Sequence, residues 1–471
     1  MSTRLEHDLL GTAEVPAAAY YGIHTQRAAE NFALSRQPIH RQLIVALAQV
    51  KKACAITNMK TGYLGESIGQ AIARACDEII AGSYHDQFIT DALQGGAGTS
   101  MNLNACEVIA NRAIELLGGQ KGDYSLVHPL DHVNLSQSTN DVVPTAVKLA
   151  SIVLLRRTSA AFAELQAALQ DRERTFAAVL KLGRTELMDA VPMTLGQEFA
   201  AWAQAVQRDW WRLSKCEERL RQVNLGGTAI GTGLNADRRY VFSVIETLRE
   251  VSGVGLARAE NLIDATQNLD AFVEVSGMLK AAATNLAKIA ADLRLLASGP
   301  GGGLGEIELP ALQAGSSIMP GKVNPVVTEA VSQVAFQVMA ADLAITLGAA
   351  AGQLELNAFV PLVAHNLLGA LDLLRAGAEM LARKGVVGIQ ANSARCNEHL
   401  ERSLALVTAL SPHIGYDAAS TLAREAQQSG QSIRTLAVER RLFSAAELTL
   451  ILDTTEMTHP GIAGLRSGGV A

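Results

Sequence analysis

Four segments of this chain concentrate hydroxyl, amide and glycine residues, the side chains that bind small anions without a metal. Gly95 to Asn102 reads GGAGTSMN, and Asn134 to Thr145 reads NLSQSTNDVVPT. Gly183 to Pro192 reads GRTELMDAVP, and Gly315 to Pro325 reads GSSIMPGKVNP. Any one of them could be ordinary helix capping, because Ser, Thr and Asn are preferred N-caps. Together, neutral donors clustered with a lysine suit a small carboxylate substrate. In the last segment Lys322 supplies a full positive charge and Asn324 a second donor.

Other motifs fail on spacing. Gly299 to Gly305 is glycine-rich but lacks the G-x-G-x-x-G order and follows a helical pattern, not a strand. Gly315 to Val323 ends in Gly-Lys, yet Val323 stands where a phosphate loop needs Ser or Thr. There is no H-E-x-x-H and no Cys/His cluster, so neither a metal nor any other cofactor is expected.

Long helices must position these segments. Apolar residues recur at helical spacing from Pro144 to Val179, Gly196 to Val223, Asn268 to Ala297, Asn324 to Thr346 and Phe359 to Arg383. On the third, Val275, Met278, Leu279, Ala282, Leu286, Ile289, Leu293 and Leu296 line one face. Helices this long exceed the usual mean of about 11–12 residues. Faces so rich in alanine imply close packing, more often between several subunits than within one. The fold class expected is all-α, with three mostly helical domains: 1–141, a central bundle 142–391, and a small domain 392–471 ending in flexible Gly/Ser sequence. The first of these reads as short helical segments mixed with loops.

Composition fits an ordinary globular protein of several domains. The 471 residues are 49% hydrophobic, 18% charged and 4% aromatic. A net charge of −6 demands neither nucleic acid nor an anionic membrane. No unbroken apolar run of about 18 residues appears, so no membrane span is expected. The N-terminus MSTRLEHDLLGTAEVP is charged, without a signal-peptide core, and the five cysteines form no CxxC pair. A cytoplasmic location with reduced thiols is expected.

The loop GSSIMPGKVNP resembles the characteristic loop of the aspartase/fumarase superfamily. The resemblance covers nearly the whole chain, from Leu10-Gly11-Thr12 and Tyr20 to Thr25 through to His459-Pro460. Gln137 to Asp141 and Gly352 to Asn357 read closer to its aspartase branch than to its fumarases. The resemblance implies a homotetramer whose active sites are each built from three subunits. It also implies base-initiated β-elimination, with aspartate giving fumarate and ammonia. By similarity, Ser316 is the base; Thr99, Ser138, Thr139 and Ser317 hold the developing enediolate charge. Lys322 and Asn324 would grip the α-carboxylate, and Thr185 and Asn140 would meet the amino group. The Pro320 and Pro325 that bracket the loop exclude a regular helix there.

One position departs from the family. Glu186 stands where histidine or glutamine is usual, and Leu187-Met188 replaces Leu-Gln. A carboxylate beside a doubly anionic substrate is costly in a desolvated site. Glu186 is therefore either protonated or paired with the substrate ammonium, or a sign of a more cationic substrate. A betaine such as ergothioneine, which an ergothionase-like member cleaves to trimethylamine and thiourocanate, fits the second case. Fumarate hydration and a crystallin-like structural role are further alternatives; the presence of both Ser316 and Lys322 speaks against the last.

Overall fold

The computed structural model describes residues 2–465. The Gly/Ser-rich tail, residues 466–471, lies outside the described residues. In chain order the helices of eight or more residues up to position 402, with one short turn between them, are as follows. They are α1 (Ile23–Asn31), α2 (Arg41–Thr61), α3 (Glu66–Ile80), α4 (Thr99–Leu116), α5 (Thr139–Thr175), α6 (Leu195–Leu220), α7 (Arg238–Ser252), the short α8 (Asp264–Gln267), α9 (Asp270–Leu296), α10 (Val326–Ala350), α11 (Val360–Met380) and α12 (Ser393–Arg402). Among the described residues the strands form only two-stranded sheets: β1 (Thr3–Asp8) with β2 (Gly11–Pro16), β3 (Leu180–Thr185) with β4 (Met188–Thr194), β5 (Gln222–Val223) with β6 (Ala257–Arg258), and β7 (Ile307–Glu308) with β8 (Gln390–Ala391). The protein is helical, as its alanine- and leucine-rich periodicity requires.

The chain divides into two compact units. Unit one is residues 1–161, 209–284 and 334–376; unit two is residues 162–208, 285–333 and 377–471. The division falls inside each of the five long helices, α5, α6, α9, α10 and α11.

In unit one, α2 packs against α3 and α7, burying Leu43, Leu47, Val50, Ile72, Ile79, Val244 and Leu248. The start of α5 is buried all round, with Val142, Val143, Ala146, Val147, Leu149 and Ala150 shut off from water. Pro144 lies inside this helix and has no N–H to give the carbonyl four residues back. That carbonyl, on Asn140, instead accepts from Asn224 Nδ2 at 3.0 Å. The proline thus costs the helix a rung without orphaning a buried group. Unit two holds a separate apolar cluster under its C-terminal helices, built on Leu410, Leu422, Ile433, Leu436 and Leu448.

Helix α10 is apolar on more than one face. Val331, Ala335, Val338, Ala341 and Ile345 are buried, while Phe336, Leu343 and Leu347 are 59%, 61% and 61% exposed. Among the described residues it is the one helix long and apolar enough, by length and composition alone, to cross a membrane. A search for unbroken apolar runs passes over it, because Glu329, Ser332, Gln333 and Gln337 interrupt the sequence.

Candidate active site

The donor-rich segments sit where helices begin and where a hairpin turns. Thr99 opens α4 just after a glycine turn, and its hydroxyl donates to the Gly96 carbonyl at 2.7 Å. One turn along, Asn102 Nδ2 reaches Thr139 Oγ1 at 3.3 Å and Asn134 Oδ1 at 3.2 Å, joining two of the segments. Ser138 precedes α5 and accepts from the Asn140 N–H at 3.3 Å. Asn140 Nδ2 donates to the Ala229 carbonyl at 2.7 Å. Thr99, Ser138, Thr139 and Asn140 therefore form one group in unit one.

Two buried charges lie behind that group, and neither was singled out from the sequence. Asp141 is fully buried and accepts from the backbone N–H groups of Ser138, Gly226 and Thr228 at 2.9, 3.0 and 3.1 Å. Burial pushes its carboxyl up to about 6, against the pull of those three donors. It fixes the start of α5 to the 226–228 turn. Lys51, also fully buried, donates to Asn134 Oδ1 at 2.8 Å and Gln137 Oε1 at 3.0 Å. Asp141 stands inside a motif the sequence offers; Lys51 lies 83 residues from its partner and carries no local signal.

Thr185 and Glu186 belong to unit two. The segment that reads as a donor-rich loop is a β-hairpin, β3 and β4, with Arg184 paired to Asp189 and Thr185 to Met188. A bulge lies between Leu182 and Arg184, at Gly183, where a Cβ would stand 2.7 Å from the Val191 carbonyl oxygen. Glu186 and Leu187 form the two-residue tip, with φ of +54° and +66°. Such a tip favours Asn-Gly, and a branched or long side chain costs about 1–2 kcal/mol per residue there. Strain of this kind persists only where surrounding structure over-determines it. Both side chains project into solvent, Leu187 with 73% of its surface exposed.

Ser316, Ser317, Lys322 and Asn324 share the loop between β7 and α10. The loop closes on itself: the Gly315 N–H donates to the Lys322 carbonyl at 2.9 Å, and Asn324 Nδ2 to the Gly315 carbonyl at 2.6 Å. Glycine is required at 315, where a Cβ would lie 2.4 Å from the Lys322 oxygen. Ser316 Oγ accepts from the N–H groups of Ile318 at 3.2 Å and Met319 at 2.9 Å. Two N–H donors on one hydroxyl oxygen stabilise negative charge there, and they also cap the turn; the geometry serves both roles. Lys322 and Ile318 are exposed.

Under the hairpin lies a buried ionic cluster. Glu306 is fully buried; its Oε1 accepts from Arg184 Nη2 at 2.7 Å and sits 2.9 Å from His399 Nδ1, and its Oε2 lies 3.4 Å from Lys181 Nζ. Lys181 also meets Glu198 at 2.7 Å. Burial works to raise the Glu306 carboxyl, but Arg184, Lys181 and His399 outweigh it and hold it below the usual range. Removing one partner from such a pair costs about 3–5 kcal/mol, because the other charge stays buried. A cavity of about 640 Å³ in unit two, lined by Val191, Pro192, Ala409, Met457 and Pro460 among others, includes none of the ten residues the sequence singles out.

Comparison with known proteins decides the family. The "Lyase" family model matches residues 11–340, and the "Fumarase C C-terminus" model matches residues 406–459. The chain belongs to the aspartase/fumarase superfamily of lyases. It is 50% identical over 461 residues to an aspartate ammonia-lyase of Bacillus subtilis, covering 98% of this chain and 97% of that one. It is likewise 50% identical over 469 residues to an aspartate ammonia-lyase of Pseudomonas aeruginosa, with 99% of each chain covered. A crystal structure described as fumarate lyase:delta crystallin from Brucella melitensis bound to cobalt superposes with TM-score 0.94 at 50% identity, covering 98% and 100% of the two chains. A class II fumarase of Schistosoma mansoni superposes with TM-score 0.94 at 35% identity, covering 97% and 99%. Carbon–nitrogen lyase chemistry on a helical scaffold follows from membership and from these relatives.

Proposed function

We propose that this lyase converts L-aspartate to fumarate and ammonia. The observation that carries the reading is near 50% identity, end to end, with aspartate ammonia-lyases, in a chain that keeps the whole GSSIMPGKVNP loop. Ser316 Oγ, as alkoxide, takes a proton from the carbon beside the β-carboxylate. The electron pair moves onto that carboxylate as an enediolate. It then returns to form the carbon–carbon double bond, and the carbon–nitrogen pair leaves with the ammonium nitrogen as ammonia. Preorganised donors make the enediolate accessible. Thr99, Ser138, Thr139 and Ser317 supply them, Lys322 and Asn324 hold the α-carboxylate, and Thr185 and Asn140 meet the amino group. The Ile318 and Met319 N–H groups on Ser316 Oγ support its role as base.

The bare apolar stripe on α10 supports a homotetramer, in which copies cover Phe336, Leu343 and Leu347 and bring donor segments of different chains to one site. A cytoplasmic protein of three domains, divided at about 141 and 392, completes the reading. Ser316→Ala tests the mechanism. General-base catalysis contributes about 10²–10⁴-fold, so kcat for aspartate should fall by at least that much with the melting temperature unchanged. Retention of most of the fumarate absorbance signal would sink the assignment of Ser316.

A further inference from the structure

Asn102 joins the first donor segment to the second through a chain of amides whose direction is fixed at its far end. A lysine ammonium only donates, so the atoms that the buried Lys51 meets, at 2.8 Å on Asn134 and 3.0 Å on Gln137, are the amide oxygens. The nitrogens of both amides agree. Asn134 Nδ2 donates to the Gln137 carbonyl at 3.3 Å, and Gln137 Nε2 to the Val133 and Leu135 carbonyls at 2.9 and 3.1 Å. Asn134 therefore turns its oxygen to Asn102 as well, and the Asn102 atom 3.2 Å away must be Nδ2. The second hydrogen of that nitrogen goes to Thr139 Oγ1 at 3.3 Å. The Thr139 oxygen is thus an acceptor on its protein side. Among the described residues it has no other partner, so its own proton stays available to a ligand. Asn102 Oδ1 is buried with no partner among the described residues. A bare buried acceptor is costly, so stability alone gives little reason for an amide here.

We propose that Asn102 is a positioning residue for the elimination: by donating to Thr139 Oγ1 it turns the Thr139 hydroxyl proton outward, onto the carboxylate that gathers charge as the enediolate. Asn102 touches no reacting atom. The proposal rests on the reading of Thr139 as an enediolate donor. Asn102, Asn134 and Thr139 all belong to unit one, so the arrangement is complete within one chain. A hydroxyl already turned to its acceptor needs no reorganisation as charge develops, and losing one such donor costs about 10²–10³-fold in kcat. A hydroxyl left to rotate loses part of that, and one captured from behind loses all of it. The charge is greatest in the transition state, so the loss falls on kcat more than on KM.

The test measures kcat, KM and melting temperature with aspartate, in the full chain, for Asn102→Leu, Asn102→Asp, Thr139→Val and the double variant Asn102→Leu with Thr139→Val. Asn102→Leu keeps the shape and removes the donor. Asn102→Asp keeps the shape and reverses the bond, since a carboxylate accepts the Thr139 proton and withholds it from the substrate. Support requires kcat to fall by about a hundredfold or more in Thr139→Val and about tenfold or more in Asn102→Leu, with KM within about threefold. Asn102→Asp should lose more than Asn102→Leu. The double variant should lose no more than Thr139→Val alone, because the two residues act as a unit; losses that multiply would overturn the proposal. An Asn102→Leu that melts lower but keeps kcat would also overturn it and leave Asn102 as a packing residue. A Thr139→Val that keeps kcat would overturn the reading of Thr139, and this proposal with it. If Asn102→Leu fails to fold, Asn102→Ala takes its place under the same thresholds.

Discussion

At the scale of single residues, Glu186 is where the two readings of the substrate part. Its carboxylate stands on an exposed tip, so solvent screens it until a substrate displaces the water. Glu186→Gln should raise kcat/KM for aspartate if the charge repels the substrate carboxylates, and lower it if the charge holds the ammonium. Steady-state kinetics with aspartate and with ergothioneine separates the two, and activity on the betaine alone would displace aspartate as substrate. Glu107 offers a second residue-scale test. It is buried beside Glu6 and accepts from the N–H groups of Gly22, His24 and Thr25. Burial pushes its carboxyl up to about 7. A folded-state value above the unfolded one, near 4.3, means the folded protein binds the extra proton. The stabilising contribution is then complete below about 4 and is lost as pH rises through about 7. Melting temperature against pH for Glu107→Gln should be flatter than wild type between those limits, and parallel curves would refute the linkage. The residue scale was the least legible from sequence. Ser316 and Lys322 announce themselves in a motif, whereas Glu306 meets Arg184 and His399 across 122 and 93 positions. No local pattern links them.

At the scale of elements, periodicity identified what it physically reports. On α9, seven of the eight residues assigned to the core face are buried, and Met278 alone is 36% exposed. The N-terminal third reads as short helices, yet α2 runs 21 residues and α4 runs 18. Their amphipathic signal is blurred by buried polar side chains. Lys51 and Asn58 on α2, and Asn102, Asn104, Glu107 and Asn111 on α4, face inward and bond segments outside their own helices. The hairpin at 183–192 was hidden for a different reason, since its tip lacks the Asn-Gly signal that marks such turns. Restoring that signal is a prediction. Replacing Glu186-Leu187 by Asn-Gly should stabilise the protein by about 1–2 kcal/mol for each position relieved, seen as a rise in melting temperature, while kcat falls. A variant that is both more stable and fully active would show that the tip's side chains do no chemistry.

At the scale of the whole molecule, the exposed stripe on α10 predicts assembly. On the proposed homotetramer, Leu343→Asp places a charge in the face between copies and should shift the protein toward smaller species in sedimentation, with activity falling alongside. Unchanged sedimentation would remove α10 from the interface. The superfamily and its helical architecture are legible from a few loops and five helical periods; the proposed assembly shows in the sequence only as an excess of alanine-rich faces. The stripe also sets a clock on biogenesis. On the proposed assembly, Phe336, Leu343 and Leu347 stand in water until a newly made chain encounters another, so refolding from denaturant should become second-order in its last step. Recovered activity should climb with chain concentration and then turn over, once the same three side chains begin meeting chains that have not finished folding.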